Sequence, residues 1–193
     1  MENIFEDFEK RFSYLTDEEK ELLMSVSEFK EYSANEILID RGDITQKNYF
    51  IVKGIIRTFT SDKNGDEKTV FLASEGLNIG SENNFLFKKP ASKIVMTVED
   101  CIVIELDLNK LDELCLDHIG LMRFYRDCLK NNLKEAVQRI EFYTLIKPKD
   151  RYFKLLETNP ELIQRVPQKH LASYLGMKPE SLSRIKNQNS NKN

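Results

Sequence analysis

Close to the C-terminal end stand Glu180, Ser181, Ser183, Arg184 and Lys186, preceded by Lys178 and Pro179. The planar guanidinium of Arg184 matches the paired O6 and N7 acceptors of guanine, and the Glu180 carboxylate can accept from a cytosine amino group. The Ser181 and Ser183 hydroxyls suit phosphate or base, and Gln168 and Lys169, just upstream, suit phosphate. Arg184 also has an ordinary use, a surface ion pair with Glu180 at i, i+4 worth tenths of a kcal/mol. The two uses are compatible, because an ion pair in the free state can orient the side chain.

Such groups act together only if one face presents them. Pro167 suits the first turn of a helix, where its missing N–H leaves no bond unmade. Leu171, Ala172 and Leu175 then form one apolar face, and Gly176 supplies the left-handed turn that ends it. Pro179 opens a second helix with Leu182 and Ile185 as its buried stripe and the polar groups off that stripe. Lys178 is a poor N-cap compared with Ser or Asp. Helix, glycine turn and helix are the sequence form of a helix-turn-helix.

The order of residues from Val166 to Lys186 resembles the recognition segment of the Crp/Fnr family of bacterial transcription regulators, closest to forms reading VPQ-HLASYLG followed by P-E-SLSR. The resemblance implies that the glutamate and arginine at 180 and 184 face a DNA groove. It also implies double-stranded DNA, a second copy of the chain and RNA polymerase as partners. Few residues follow Lys186, so the β-hairpin wing of many relatives is not expected, and binding should be weaker and more salt-sensitive.

Charge is divided to match. Residues 1–146 hold 19 Lys+Arg against 28 Asp+Glu, and residues 147–193 hold 10 against 4, so a net charge of −3 conceals an acidic body and a basic end. That division is the electrostatic footprint of a nucleic-acid-binding module. With 40% hydrophobic and 32% charged residues the chain reads as soluble and globular, large enough for one or two cores. No apolar run approaches the roughly 18–20 residues of a membrane span, and the acidic N-terminus is unlike a signal peptide, so a cytoplasmic protein with no membrane partner is expected. Cys101, Cys115 and Cys128 show no C-x-x-C spacing, and His118 and His170 are the two histidines; neither a metal site nor a cofactor is expected. Some family members hold an iron–sulfur cluster on four cysteines, which three separated ones do not supply. No nucleophile–base set, motif of paired carboxylates or phosphate-binding glycine loop is visible, so the chain is not read as an enzyme.

Along the chain, Phe5, Phe8 and Phe12 give a first helical stripe. Thr16 to Glu19 reads as a capping box opening a helix with Leu22, Leu23 and Val26 inward. From about Phe29 to Leu106 short β-branched runs follow one another: Glu36–Asp43, Tyr49–Gly54, Ile55–Thr60, Lys68–Leu72, Ile94–Val98 and Cys101–Leu106. Asn64-Gly65 signals a hairpin, since both residues can take φ > 0. Strands at such intervals suggest a sandwich or barrel-like roll. Phe50-Ile51-Val52-Lys53-Gly54-Ile55-Ile56-Arg57 resembles the central strand–glycine–strand of the cyclic-nucleotide-binding β-roll. Helical spacing returns from Leu111 to about Ile146, where Met122, Arg126, Leu129, Leu133, Ala136, Ile140 and Tyr143 step by fours and threes. Such a seam fits a partner helix or the chain's own roll equally well from spacing; the resemblance implies pairing across a two-fold axis. Lys147 to Asp150 reads as a hinge, Asn159-Pro160 closes a further helix, and the polar tail from Asn187 reads as disordered. The expected fold is α+β: a jelly-roll-like β-roll over residues 1–110, a long dimerisation helix over 111–146, and a (winged) helix-turn-helix domain over 147–193.

In the cyclic-AMP-binding members a Gly-Glu pair takes the ribose hydroxyl and an Arg-Ser pair about ten residues on neutralises the phosphate. Aligning Gly80 with that glycine puts Ser81 at the glutamate and Ala91-Ser92 at the Arg-Ser pair, and puts Ala136-Val137 where a hydroxyl pair meets the base. A buried phosphate without a cation loses a charge-assisted bond of roughly 1.5–3 kcal/mol, so cyclic AMP is not the expected ligand. Arg57, Gly80, Ser81, Glu82, Asn83, Ala91 and Ser92 are the candidate pocket residues. Either another small molecule enters, with Lys88, Lys89 or Lys93 as replacement cations, or side chains such as Phe85, Leu86 and Phe87 fill the space. The expected function is a Crp/Fnr-type homodimeric regulator reading an inverted repeat; the alternative is a ligand-sensing or protein-interaction module that no longer binds DNA.

Overall fold

The computed structural model describes residues 12–190. Phe5 and Phe8 lie outside them, whereas Phe12 is buried beside Phe124.

A first helix, α1 (Asp17–Ser25), starts from the expected capping box, in which Thr16 Oγ1 accepts from Glu19 N and the Glu19 carboxylate accepts from Thr16 N. Eight strands follow: β1 (Ser27–Tyr32), β2 (Ile37–Ile39), β3 (Lys47–Lys53), β4 (Ile56–Ser61), β5 (Glu67–Ala73), β6 (Asn78–Gly80), β7 (Ile94–Thr97) and β8 (Cys101–Asp107), with helix α2 (Glu82–Phe87) between β6 and β7. They form two four-stranded antiparallel sheets in the orders β1-β8-β3-β6 and β2-β7-β4-β5. Ile39, Ile51, Ile56, Val95 and Val103 fill the space between them. Along β8, alternate residues Cys101, Val103 and Glu105 are buried, as period-two patterning requires.

Gly54 joins β3 to β4 at φ +105°, and an added Cβ would stand 2.5 Å from Cys101 Sγ and 2.8 Å from the Asp100 carbonyl oxygen. The β4–β5 hairpin forms, but its turn differs from the two-residue expectation. Gly65 has positive φ and Asn64 does not; the Asp62 carboxylate accepts from Asn64 N and Asp66 N and so shapes a longer loop. The run Glu36–Asp43 supplies only three strand residues, because Asp40 and Asp43 turn the chain at Gly42.

Helical structure resumes in two pieces: α3 (Leu108–Leu114) and the 27-residue α4 (Ile119–Leu145), about 40 Å long. The single helix expected from Leu111 is therefore broken at residues 115–118. His118 is extended and has no side-chain cap bond; instead the buried Glu19 carboxylate, from α1, accepts from Gly120 N at 2.7 Å. An anion from elsewhere in the chain thus satisfies a free donor at the helix start. Four shorter helices complete the described residues: α5 (Pro148–Thr158), α6 (Pro160–Arg165), α7 (Gln168–Leu175) and α8 (Pro179–Ser190). Asn159 caps α6, which the sequence did not announce, and α8 continues through Ser190 where a disordered tail was expected.

The last helices pack on the roll. Tyr152, Leu155, Leu162, Leu171, Leu175 and Leu182 share one apolar cluster with Ile55 and Leu72 of the roll. Arg165 meets both oxygens of Glu75 and also bonds Glu99, clamping α6 to the roll. Ser173 Oγ accepts from Thr69 N at 2.9 Å and donates to the Glu67 carbonyl at 3.1 Å, so α7 covers the edge strand β5.

Candidate nucleic-acid interface and effector cavity

The two-helix unit is built by its apolar residues. Leu171, Ala172 and Leu175 are fully buried on α7; Leu182 and Ile185 are their counterparts on α8. Gly176 takes φ 72°, ψ 35° and ends α7, with Met177 N bonded back to the Ala172 carbonyl. Pro167 precedes the first helical residue and does not open the helix itself. The Lys178 carbonyl accepts from Ser181 N and Leu182 N, which starts α8, and Gln168 Nε2 donates to the Pro179 carbonyl at 3.1 Å, pinning the two helix starts together.

The polar residues fall on the opposite side. Lys169, Lys178, Pro179, Glu180 and Arg184 are exposed, as is Gln168; Ser181, Ser183 and Lys186 are half-buried. Among the described residues neither Glu180 nor Arg184 is in an ion pair, so the i, i+4 pair allowed by spacing is not formed. One exposed edge therefore carries cationic, acidic and hydroxyl groups on a helix whose other side is fixed.

Arg151, on α5, sets where this unit stands relative to the long helix. Its guanidinium donates to the carbonyls of Phe142, Tyr143 and Ile146 at the end of α4 and to that of Leu175 at the end of α7. Tyr143 hydroxyl donates to the Tyr174 carbonyl, which ties the same two helices.

Of the seam residues, Met122, Leu129, Leu133 and Ile140 are exposed, Leu133 by 65% and Ile140 by 62%, with Ala136 half-buried between them. Leu116, Ile119, Val137 and Leu145 extend this uncovered apolar surface. Tyr143 does not belong to it: its ring is half-buried beside Phe142 and Tyr174, and the Arg151 guanidinium lies over it. The apolar stripe turns inward there to meet the C-terminal helices.

Between the roll and α4 lies a cavity of about 470 Å³. Of the candidate pocket residues Gly80, Ser81 and Glu82 line it; Asn83, Ala91 and Ser92 do not. Ala91 is buried in main-chain bonds with Gly42 and Asp43, and Ser92 is exposed. Arg57 is fully buried elsewhere: it pairs with Glu67 at 2.8 Å, donates to Thr69, and reaches His170 of α7. Neighbouring positions of a strand face opposite sides, so Thr58 lines the cavity while Arg57 looks toward the C-terminal helices. Burial depresses the Arg57 pKa despite Glu67, and burial, then the Arg57 charge, holds His170 below its ordinary value.

None of the proposed replacement cations lines the cavity. Lys88 and Lys89 are exposed and Lys93 is held by Glu82 at 3.1 Å. Nor do the side chains named for that role fill the space: Phe85 and Leu86 form part of its wall and Phe87 is exposed. Asn84 holds the surrounding loop through the Asp43 and Lys89 carbonyls and Thr45 N. Sequence reading missed Arg139 of α4, whose guanidinium sits over the Phe71 ring, 4.5 Å from its centre, and lines the cavity. It stands one helical step off the seam, and nothing in its immediate neighbours distinguishes it from a solvated arginine.

Residues 29–118 match the family model described as a cyclic nucleotide-binding domain. Among solved structures, FixK2 from Bradyrhizobium japonicum is similar at 17% identity, over 86% of this chain and 86% of that one, with a TM-score of 0.72. The c-di-GMP-responsive global regulator CLP of Xanthomonas campestris is similar at 17% identity over 90% and 91%, with a TM-score of 0.66. A CRP/FNR-family transcriptional regulator from Thermus thermophilus gives 20% over 86% and 87%, with a TM-score of 0.64. No curated protein matches significantly. At these identities the likeness establishes the fold: a cyclic-nucleotide-binding β-roll carrying a long helix.

Proposed function

We propose that this chain is a sequence-specific transcription regulator of the Crp/Fnr type, a homodimer that reads an inverted-repeat duplex and does not respond to cyclic AMP. It acts by binding, not turnover, and works in the cytoplasm. The observation that carries the reading is the two-sided α8. Leu182 and Ile185 are buried against α7 while Glu180 and Arg184 stand exposed with no ion pair among the described residues. In this reading α7 and α8 form the helix-turn-helix, Arg184 reads guanine, Glu180 reads cytosine, and Gln168, Lys169, Lys178 and Lys186 hold phosphates, with Ser181 and Ser183 on phosphate or base.

The exposed seam Met122–Leu129–Leu133–Ala136–Ile140 is the face a second copy covers, placing two reading helices about one DNA turn apart. Among the described residues the loop after β6 turns no uncommitted cation toward Gly80 and Ser81, since Lys93 is held by Glu82 and Lys88 and Lys89 are exposed, and this argues against cyclic AMP. Selection of duplexes from a random pool tests the whole proposal. Enrichment of inverted repeats with half-sites about one turn apart is expected. A pool that stays random, with the protein dimeric, would instead favour a sensing module without DNA binding.

A further inference from the structure

The cavity's contents can be specified by charge. Five charged side chains line it: Lys47, Glu82, Lys134, Glu135 and Arg139. Lys47 is committed to Glu105 and Glu82 to Lys93, while Lys134 is exposed. Arg139 differs from all of these. Its Nη1 is shielded from solvent and, among the described residues, has no hydrogen-bond partner. Its guanidinium lies against Phe71, and no carboxylate stands within ion-pair distance among the described residues, although Glu135 is four residues before it on α4. A half-buried guanidinium with no carboxylate beside it, standing in the wall of an apolar cavity, favours an anion there.

The remaining wall is apolar and aromatic, with Phe50, Phe71, Ile104, Tyr125 and Leu129 prominent. A volume of about 470 Å³ holds a small organic molecule. One free guanidinium neutralises one negative charge, and a second would stay unpaired in apolar surroundings. We infer that the cavity binds a small monocarboxylate with an aromatic or aliphatic body, its carboxylate on Arg139 of the long helix and not on the loop after β6. This names the effector class of the regulator proposed above and rests on the roll being a sensor.

Isothermal titration of the full chain with 4-phenylbutyrate, indole-3-acetate and decanoate tests this, with 4-phenylbutyramide and cyclic AMP as comparisons. At least one carboxylate should bind once per chain with a dissociation constant of about 1–100 µM. The amide, which has the same body and no charge, should bind about tenfold or more weakly, and cyclic AMP more weakly still. Arg139→Gln should lose the same factor and Arg139→Lys should recover part of it. Failure of all three carboxylates, equal binding of carboxylate and amide, or undiminished binding by Arg139→Gln overturns the inference. The carboxylate–amide comparison uses the unaltered protein, so it stands even if the variants fold poorly. Carboxylates failing on protein that still selects inverted repeats sinks this inference alone; carboxylate binding without DNA binding sinks the regulator reading alone.

Discussion

Arg151→Met should destabilise the protein strongly, because one guanidinium joins the ends of two helices. It bonds Phe142 O at 3.2 Å, Ile146 O at 2.9 Å, Tyr143 O at 2.8 Å and Leu175 O at 3.0 Å. Those carbonyls lie at the ends of α4 and α7, where intrahelical donors run out. Methionine keeps most of the apolar stem, so packing changes little and the loss is that of the donors. Nε shares its proton between two carbonyls, leaving three independent donors. At about 1–1.5 kcal/mol net for each, the loss is about 3–4.5 kcal/mol, the per-bond figure being discounted from the charged-donor range because water can reach the half-exposed end of α4. For a chain of this size about 2–4 °C accompanies each kcal/mol, so thermal melting followed by circular dichroism should fall by about 6–18 °C. Arg151→Lys should regain less than half, because one ammonium does not span both helix ends. A fall below about 2 °C would show that water replaces the guanidinium, and that Arg151 does not hold the C-terminal helices to the long one.

Three further outcomes follow from other contacts. Leu133→Asp places a charge in the middle of the exposed seam, and sedimentation should show dimer converting to monomer, with a melting temperature that is lower and no longer depends on protein concentration; a persistent dimer would place the interface elsewhere. Gly54→Ala strains a backbone at φ +105° and presses Cβ against Cys101 and the Asp100 carbonyl, costing about 2–4 kcal/mol in urea unfolding; a neutral result would contradict the tight β3–β4 junction. Stability should fall in two steps on acidification. His170, held low by burial and then by Arg57, is neutral in the fold, so its contribution is complete above about pH 6.5 and declines below it as the unfolded chain gains the proton. Glu75 and Glu105 are raised by burial but lowered further by their cations (Glu75 also by Gly54 N–H), so their contribution is present above the ordinary carboxylate range, near pH 4.3, and disappears as pH falls through their folded values. Melting temperature against pH for the protein and for His170→Gln separates the steps; a flat curve from pH 7.5 to 5 would contradict the first.

What could be read from the sequence was what local chemistry determines. The Thr16–Glu19 cap, the glycine junction at Gly54, the Leu171–Leu175 and Leu182–Ile185 stripes and the Gly176 turn are each fixed by a few neighbouring residues, and each is present. Features set by residues far apart in the chain were not legible. The break before Ile119 depends on Glu19, about a hundred positions away, supplying a cap. Arg57 faces α7 rather than the cavity because Glu67, Thr69 and His170 converge on it from two other elements. Tyr143 continues the heptad spacing yet leaves the seam, since Tyr174 and Arg151 capture it from the C-terminal helices. Arg139 carries no local mark at all; its isolation from acceptors is visible only once Phe71 and α4 are brought together.

The central claim is that the exposed side of α8 reads bases. Mobility shift of an inverted-repeat duplex obtained by selection, against a scrambled duplex, with unaltered protein and Arg184→Ala across a salt series, tests it most directly. The variant should lose about 1–3 kcal/mol of discrimination per half-site while keeping most of the salt slope, because the phosphate contacts remain. Equal weakening on both duplexes, with the slope reduced by about one, would reassign Arg184 to the phosphates; no shift of either duplex by the unaltered protein in dilute salt would remove DNA reading from the account altogether.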